Sequence, residues 1–143
     1  MVTKARAEEF ASIRETIRSW AVGDAAIVAV ALVGSWARGE PRMDSDADVL
    51  VLTETDRFVE QDDWVSHLCG SHAALVRTAD WGALTERRVR LRSGFEIEFG
   101  FAKPSWAEIA PMDPGTREVI TDGCETWYDP NNLLRRLLDA AVE

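Results

Sequence analysis

The chain has 143 residues, 46% of them hydrophobic, which suits one globular domain with an ordinary buried core. Its formal net charge is −9, from 25 acidic against 16 basic residues, a balance that argues against DNA or RNA as the main substrate. No apolar run is long enough to span a bilayer, and the charged residues 1–20 lack a signal-peptide core, so a cytoplasmic protein is expected. Cys69 and Cys124 lie far apart without metal-ligand spacing and are expected to be free thiols.

Phe10, Ile13, Ile17 and Trp20 recur at three- and four-residue steps, which predicts a helix from about residue 3 to 19, stopped by Gly23-Asp24. Residues 26–33 form a short apolar run and predict a first strand. A helical turn over 36–38 and a loop over 39–45 follow, and the second strand takes 47–53. Residues 58–69 predict one helix stopped by Gly70, and 73–78 a further strand. Residues 87–92 and 95–99 alternate around Ser93-Gly94 and predict a hairpin, with its arginines on a solvated face. A helical turn behind Pro104 is expected next, then a turn at 113–115 and a second small hairpin over 118–128. Asp129-Pro130 reads as a helix cap before the amphipathic leucines 133, 134, 137 and 138. The whole is an α+β fold, a mixed sheet flanked by helices. It is expected to form a single domain over 1–143, with its core at about 24–101 and a C-terminal hairpin and helix at about 116–142.

The chemistry concentrates where the second strand begins. Asp46 and Asp48 are two apart, so on a strand both carboxylates project from one face, about 7 Å apart along the backbone. Two acids so placed repel unless a cation lies between them, and hard oxygen ligands suit Mg²⁺. Upstream, Gly34-Ser35 closes the first strand; Gly allows close backbone approach and Ser adds a hydroxyl, which suits phosphate oxygens. Together they read as a nucleoside triphosphate site. Glu96 and Glu98 alternate with Phe95, Ile97 and Phe99, and either can join the pair; Glu98 is preferred because Glu96 is nearer the exposed turn. Three carboxylates would hold two Mg²⁺ ions, and the third can also take a proton from an attacking hydroxyl. The six tryptophans read as packing residues, with Trp36 also placed for base or ribose contact.

Gly34-Ser35, ten intervening residues, and then Asp46-Ala47-Asp48 resemble the signature of the nucleotidyltransferase superfamily typified by DNA polymerase beta, in its minimal nucleotidyltransferase branch. Ala37-Arg38-Gly39, Asp44-Ser45-Asp46 and the apolar-acid-apolar run Ile97-Glu98-Phe99 share in the resemblance. It implies a mixed sheet flanked by helices, Mg²⁺ dependence, and transfer of a nucleoside monophosphate, AMP from ATP in the first instance, to an acceptor. Carried onto this chain, Gly34 and Ser35 would bind the β- and γ-phosphates. Asp46, Asp48 and Glu98 would form the metal and catalytic set, and Arg38 and Arg42 would neutralise the triphosphate. The acceptor that the resemblance implies would be a hydroxyl on a small molecule or a protein. The chain lacks room for the helical acceptor domain of antibiotic-modifying relatives. The alternative reading is therefore an antitoxin-like protein that masks or nucleotidylates a HEPN-type ribonuclease, and a protein partner or homo-oligomer fits either.

Overall fold

The apolar stripe of the first helix determines which way it lies. In a computed structural model that describes residues 1–142, α1 (Lys4–Val22) buries Phe10, Ile13, Ile17 and Ala21 against one face of a sheet. Thr3 caps it, its side chain accepting from the Arg6 N–H, and Gly23 ends it, satisfying two of the orphan groups that every helix end leaves.

The six strands are β1 (Ile27–Val33), β2 (Ala47–Thr53), β3 (Ala74–Asp80), β4 (Leu84–Arg90), β5 (Glu96–Ala102) and β6 (Cys124–Tyr128). They lie in the order β3-β4-β5-β2-β1-β6, with β2 and β5 parallel and every other pair antiparallel. The sheet is therefore mixed, and the fold is α+β as expected. The long central strands are buried on both faces, which is why β1 and β2 read as nearly unbroken apolar runs.

Alternate residues feed two cores. Val49, Val51, Ile97, Phe99 and Phe101 pack with α1 and with α3 (Asp63–Cys69). Leu50, Leu52 and Ala102 face a smaller core closed by the 3₁₀ turn Pro104–Ala107, α4 (Pro114–Asp122) and α5 (Leu133–Ala141). Asp48 and Glu98 share the register parity of Leu50 and Ala102. They stand on the second face, beyond the cover of those helices.

Three expectations are corrected. The single helix over 58–69 is two pieces, α2 (Arg57–Glu60) and α3, separated by an extended Gln61. The freed Phe58 and Gln61 carbonyls accept from Trp64 Nε1 and from Arg87 Nη1, so side chains replace the missing helical bonds. The second hairpin is a helix followed by an edge strand: Asp113 accepts from the Thr116 N–H with Pro114 at the first helical position, the start signal also read at Asp129-Pro130. Finally, Arg87 is not on a solvated face. It is 4% exposed and points to the α1 side with Val89.

Asp129 does cap α5, accepting from the Leu134 and Arg135 N–H groups, although the helix begins later than the cap signal suggested. Cys69 and Cys124 are free, and burial pushes their thiols up to about 12 and about 11. Both should resist alkylation in the folded protein and react fully in urea. A thiol-reagent titration checks this, and rapid labelling of the native state would contradict it.

Candidate functional site

Strand register assembles the site. The β2–β5 pairing sets Asp48 level with Glu98, β1–β2 sets Val33 beside Asp48, and β4–β5 sets Arg88 opposite Glu98. Asp46 immediately precedes β2 and turns to the same side, where Arg88 Nη2 lies 3.1 Å from its Oδ2 and 2.7 Å from Glu98 Oε2. The structure thus brings Asp46, Asp48 and Glu98 together. Glu96, one step nearer the turn, is held by Arg90 at 2.7 Å and by Arg88 at 3.2 Å.

Gly34 closes the other wall. Its φ is +77°, and a Cβ placed there would overlap Asp48 Oδ2. Only glycine lets the backbone lie against that carboxylate. After it, the chain makes one helical turn, the Arg38 N–H bonding to the Gly34 carbonyl at 3.1 Å. Arg38 then reaches Asp122 at the end of α4, 2.6 Å away, while Arg42 is exposed beside Asp44 at 3.6 Å. In this structure neither arginine is turned toward the carboxylates. Trp36 stacks on Phe10 at 4.1 Å and packs against the α1-side core, so its role here is packing.

The electrostatics follow from crowding. Burial, then the charges of Glu98 and Asp46, push the Asp48 carboxyl up to about 7, with Arg88 opposing only in part. Burial also raises Asp46, against the pull of Arg88. Glu86 shares a hydrogen bond with Glu98. Burial and that bond raise Glu86, whereas Glu98, despite its own burial, is held low by Glu86 and Arg88. Among the described residues no three acidic, His or Cys side chains are set around a common metal position. A guanidinium lies between Asp46 and Glu98 instead.

Beside the carboxylates opens a cleft of about 380 Å³, a size suited to a small organic molecule. Asp48, Glu86 and Glu98 line one end; Leu84, Trp81, Trp106 and Thr116 line the rest. The floor is sheet and the far wall is the 3₁₀ turn with α4. Trp81, 64% exposed, stands at the β3–β4 turn.

The family model described as a nucleotidyltransferase domain matches residues 12–107, more than half of the chain. The chain belongs to the nucleotidyltransferase domain family. The matched span holds Gly34, Ser35, Asp46, Asp48, Arg88 and Glu98, and it ends before α4, β6 and α5. No curated protein matches the chain. The walls of the cleft therefore come in part from outside the matched segment, from Asp113, Thr116 and Val119.

Several of these residues escaped the sequence reading. Glu86, Arg88, Trp81 and Trp106 were passed over or given to the surface or to packing. For Glu86 and Arg88 the signal lay in the hairpin: a turn over 91–95 pairs Arg90 with Glu96, which makes Arg88 face Glu98 and Glu86 face Gly100.

The backbone of Gly34 provides a direct test. Gly34→Ala is expected to cost about 1–2 kcal/mol from the left-handed backbone alone and to push Asp48 out of place. Urea unfolding reads the first effect. Gly39→Ala, also at positive φ but with nothing near its Cβ, gives the backbone cost without the displacement. If the two variants bind nucleotide equally well, the Gly34–Asp48 contact has no functional weight.

Proposed function

We propose that this protein transfers a nucleoside monophosphate, AMP from ATP in the first instance, to a hydroxyl of an acceptor held in the cleft. The observation that carries the reading is the convergence of Asp46, Asp48 and Glu98 beside Gly34 on one end of the sheet. Mg²⁺ suits these residues chemically: three carboxylates on one face offer the hard oxygen ligands that it takes. Asp46, Asp48 and Glu98 would hold it, two ions being the usual complement for such chemistry. When bound, Mg²⁺ offsets triphosphate charge and favours the deprotonated attacking hydroxyl.

The remaining work falls to the chain. Gly34 and Ser35 offer close backbone approach and a hydroxyl to the β- and γ-phosphates. Arg38 and Arg42 can turn from Asp122 and Asp44 to the triphosphate, since neither present pairing is buried. The acceptor oxygen bonds to the α-phosphorus, the bond to the β-phosphate bridging oxygen breaks, and pyrophosphate leaves. The hydroxyl proton passes to Glu98, which its neighbours keep ionised. The cleft is walled by indole and aliphatic groups with acids at one end, so it favours an uncharged or amine-bearing acceptor over an anionic one.

The test is transfer itself. Protein, Mg²⁺ and ATP labelled in the α-phosphate are incubated with hydroxylated small molecules, and separately with cell protein. Label appearing in a new product with stoichiometric pyrophosphate release is expected. Pyrophosphate-free hydrolysis to ADP, or no turnover with either acceptor class, would contradict nucleotidyl transfer. The masking reading makes no demand on the carboxylates. It would leave three crowded acids gathered around one arginine without a use.

A further inference from the structure

We infer that Arg88 is a built-in counter-ion, which bridges Asp46 and Glu98 in the metal-free protein and must withdraw before those carboxylates hold a divalent cation. The inference rests on the metal-site reading above. One nitrogen, Arg88 Nη2, lies 3.1 Å from Asp46 Oδ2 and 2.7 Å from Glu98 Oε2, the position of a cation shared by two carboxylates. Its second terminal nitrogen reaches Glu96 Oε1 at 3.2 Å.

Arg88 differs from its neighbour in how firmly it is held. Arg87 is locked by two backbone carbonyls, Thr78 and Asp62, with its side chain 5% exposed. Arg88 contacts carboxylates alone, leaves its buried Nε without a partner, and keeps 24% of its side chain in solvent. Such a guanidinium can retreat along Glu96 toward the exposed Arg90 side without unfolding anything. It supplies a single positive charge to the oxygens of three carboxylates, Asp46, Glu96 and Glu98. A divalent ion supplies more charge to the same oxygens. Arg88 and the metal therefore compete, and the free protein is protected from the full repulsion of its own site.

The experiment is a Mn²⁺ titration of nucleotide-free protein followed by electron paramagnetic resonance. Arg88→Met is expected to bind Mn²⁺ at least tenfold more tightly than the wild type, and Arg88→Lys to stay within threefold of it. Arg90→Met, which removes a guanidinium paired with Glu96 only, should change nothing. In the wild type, the Arg88 guanidinium nitrogen resonances should shift on Mg²⁺ addition while those of Arg87 stay fixed, a reading that does not depend on any variant folding. Equal or weaker Mn²⁺ binding by Arg88→Met, or unmoved Arg88 resonances at saturating Mg²⁺, would overturn the inference and leave the metal site standing. Absence of Mn²⁺ binding by wild type and Arg88→Met alike would overturn the metal-site reading itself.

Discussion

Asp48→Asn is expected to lower nucleotidyl transfer by on the order of a thousandfold or more while making the metal-free protein more stable. The loss follows from removing an anionic oxygen ligand at the centre of the site. The gain follows from the same crowding. Asp48 titrates near 3.8 in a solvated chain and at about 7 in the fold. Between those values the folded state binds more protons than the unfolded one, so stability falls as pH rises from about 4 to 7 and then levels off. Full linkage for that shift is about 4 kcal/mol, and solvent reaching the site reduces it to on the order of 2 kcal/mol. Asparagine has no such charge. Thermal melts in EDTA should place the variant above the wild type at pH 8 and merge the two near pH 4. A variant that melts lower than wild type at pH 8 would mean that Asp48 is compensated in the fold and is no strained acid.

The largest structural effect belongs to Arg87. Arg87→Met is expected to cost about 2–3 kcal/mol, because it takes a charged donor from two backbone carbonyls, whereas the carboxylate it leaves, Asp62, is largely exposed. Arg87 Nη1 donates to the Phe58 and Gln61 carbonyls at 2.8 Å each, and Nη2 pairs with Asp62. Those carbonyls are the groups freed by the break between α2 and α3. Methionine fills the volume but leaves the Gln61 and Phe58 oxygens short of donors, with only Trp64 Nε1 remaining. Arg90→Met, three residues along the strand but exposed, should stay within about 0.5 kcal/mol. Urea midpoints of the two variants decide the point. A cost under about 1 kcal/mol at Arg87 would show that the α2–α3 junction holds itself.

Much of this was legible because register and periodicity are local. β2 was readable from an apolar run bounded by acids, and Asp46 with Asp48 from the two-residue repeat. The choice of Glu98 over Glu96 required only that β5 lie beside β2, and the parallel pairing makes Glu98 the partner of Asp48. Where prediction failed, long-range contacts had decided. Nothing between 58 and 69 announces that Arg87 will satisfy carbonyls there and let the helix break. An alternating arginine strand looks solvated until the carboxylates opposite it and the α2–α3 junction behind it are known. At 113–122 the miss was avoidable, since Asp113-Pro114 carried the capping signal also read at Asp129-Pro130, where the helix starts only at Leu133.

The central claim, that Asp46, Asp48 and Glu98 with Gly34 form a metal-dependent nucleotide site, is tested most directly by calorimetry. ATP is titrated into wild-type protein and into Asp46→Asn/Asp48→Asn, each with Mg²⁺ and with EDTA. Binding that requires Mg²⁺ and disappears in the double variant, whose melt shows it folded, is the expected result. Equal ATP binding by both proteins, or no Mg²⁺-dependent binding by the wild type, would contradict it.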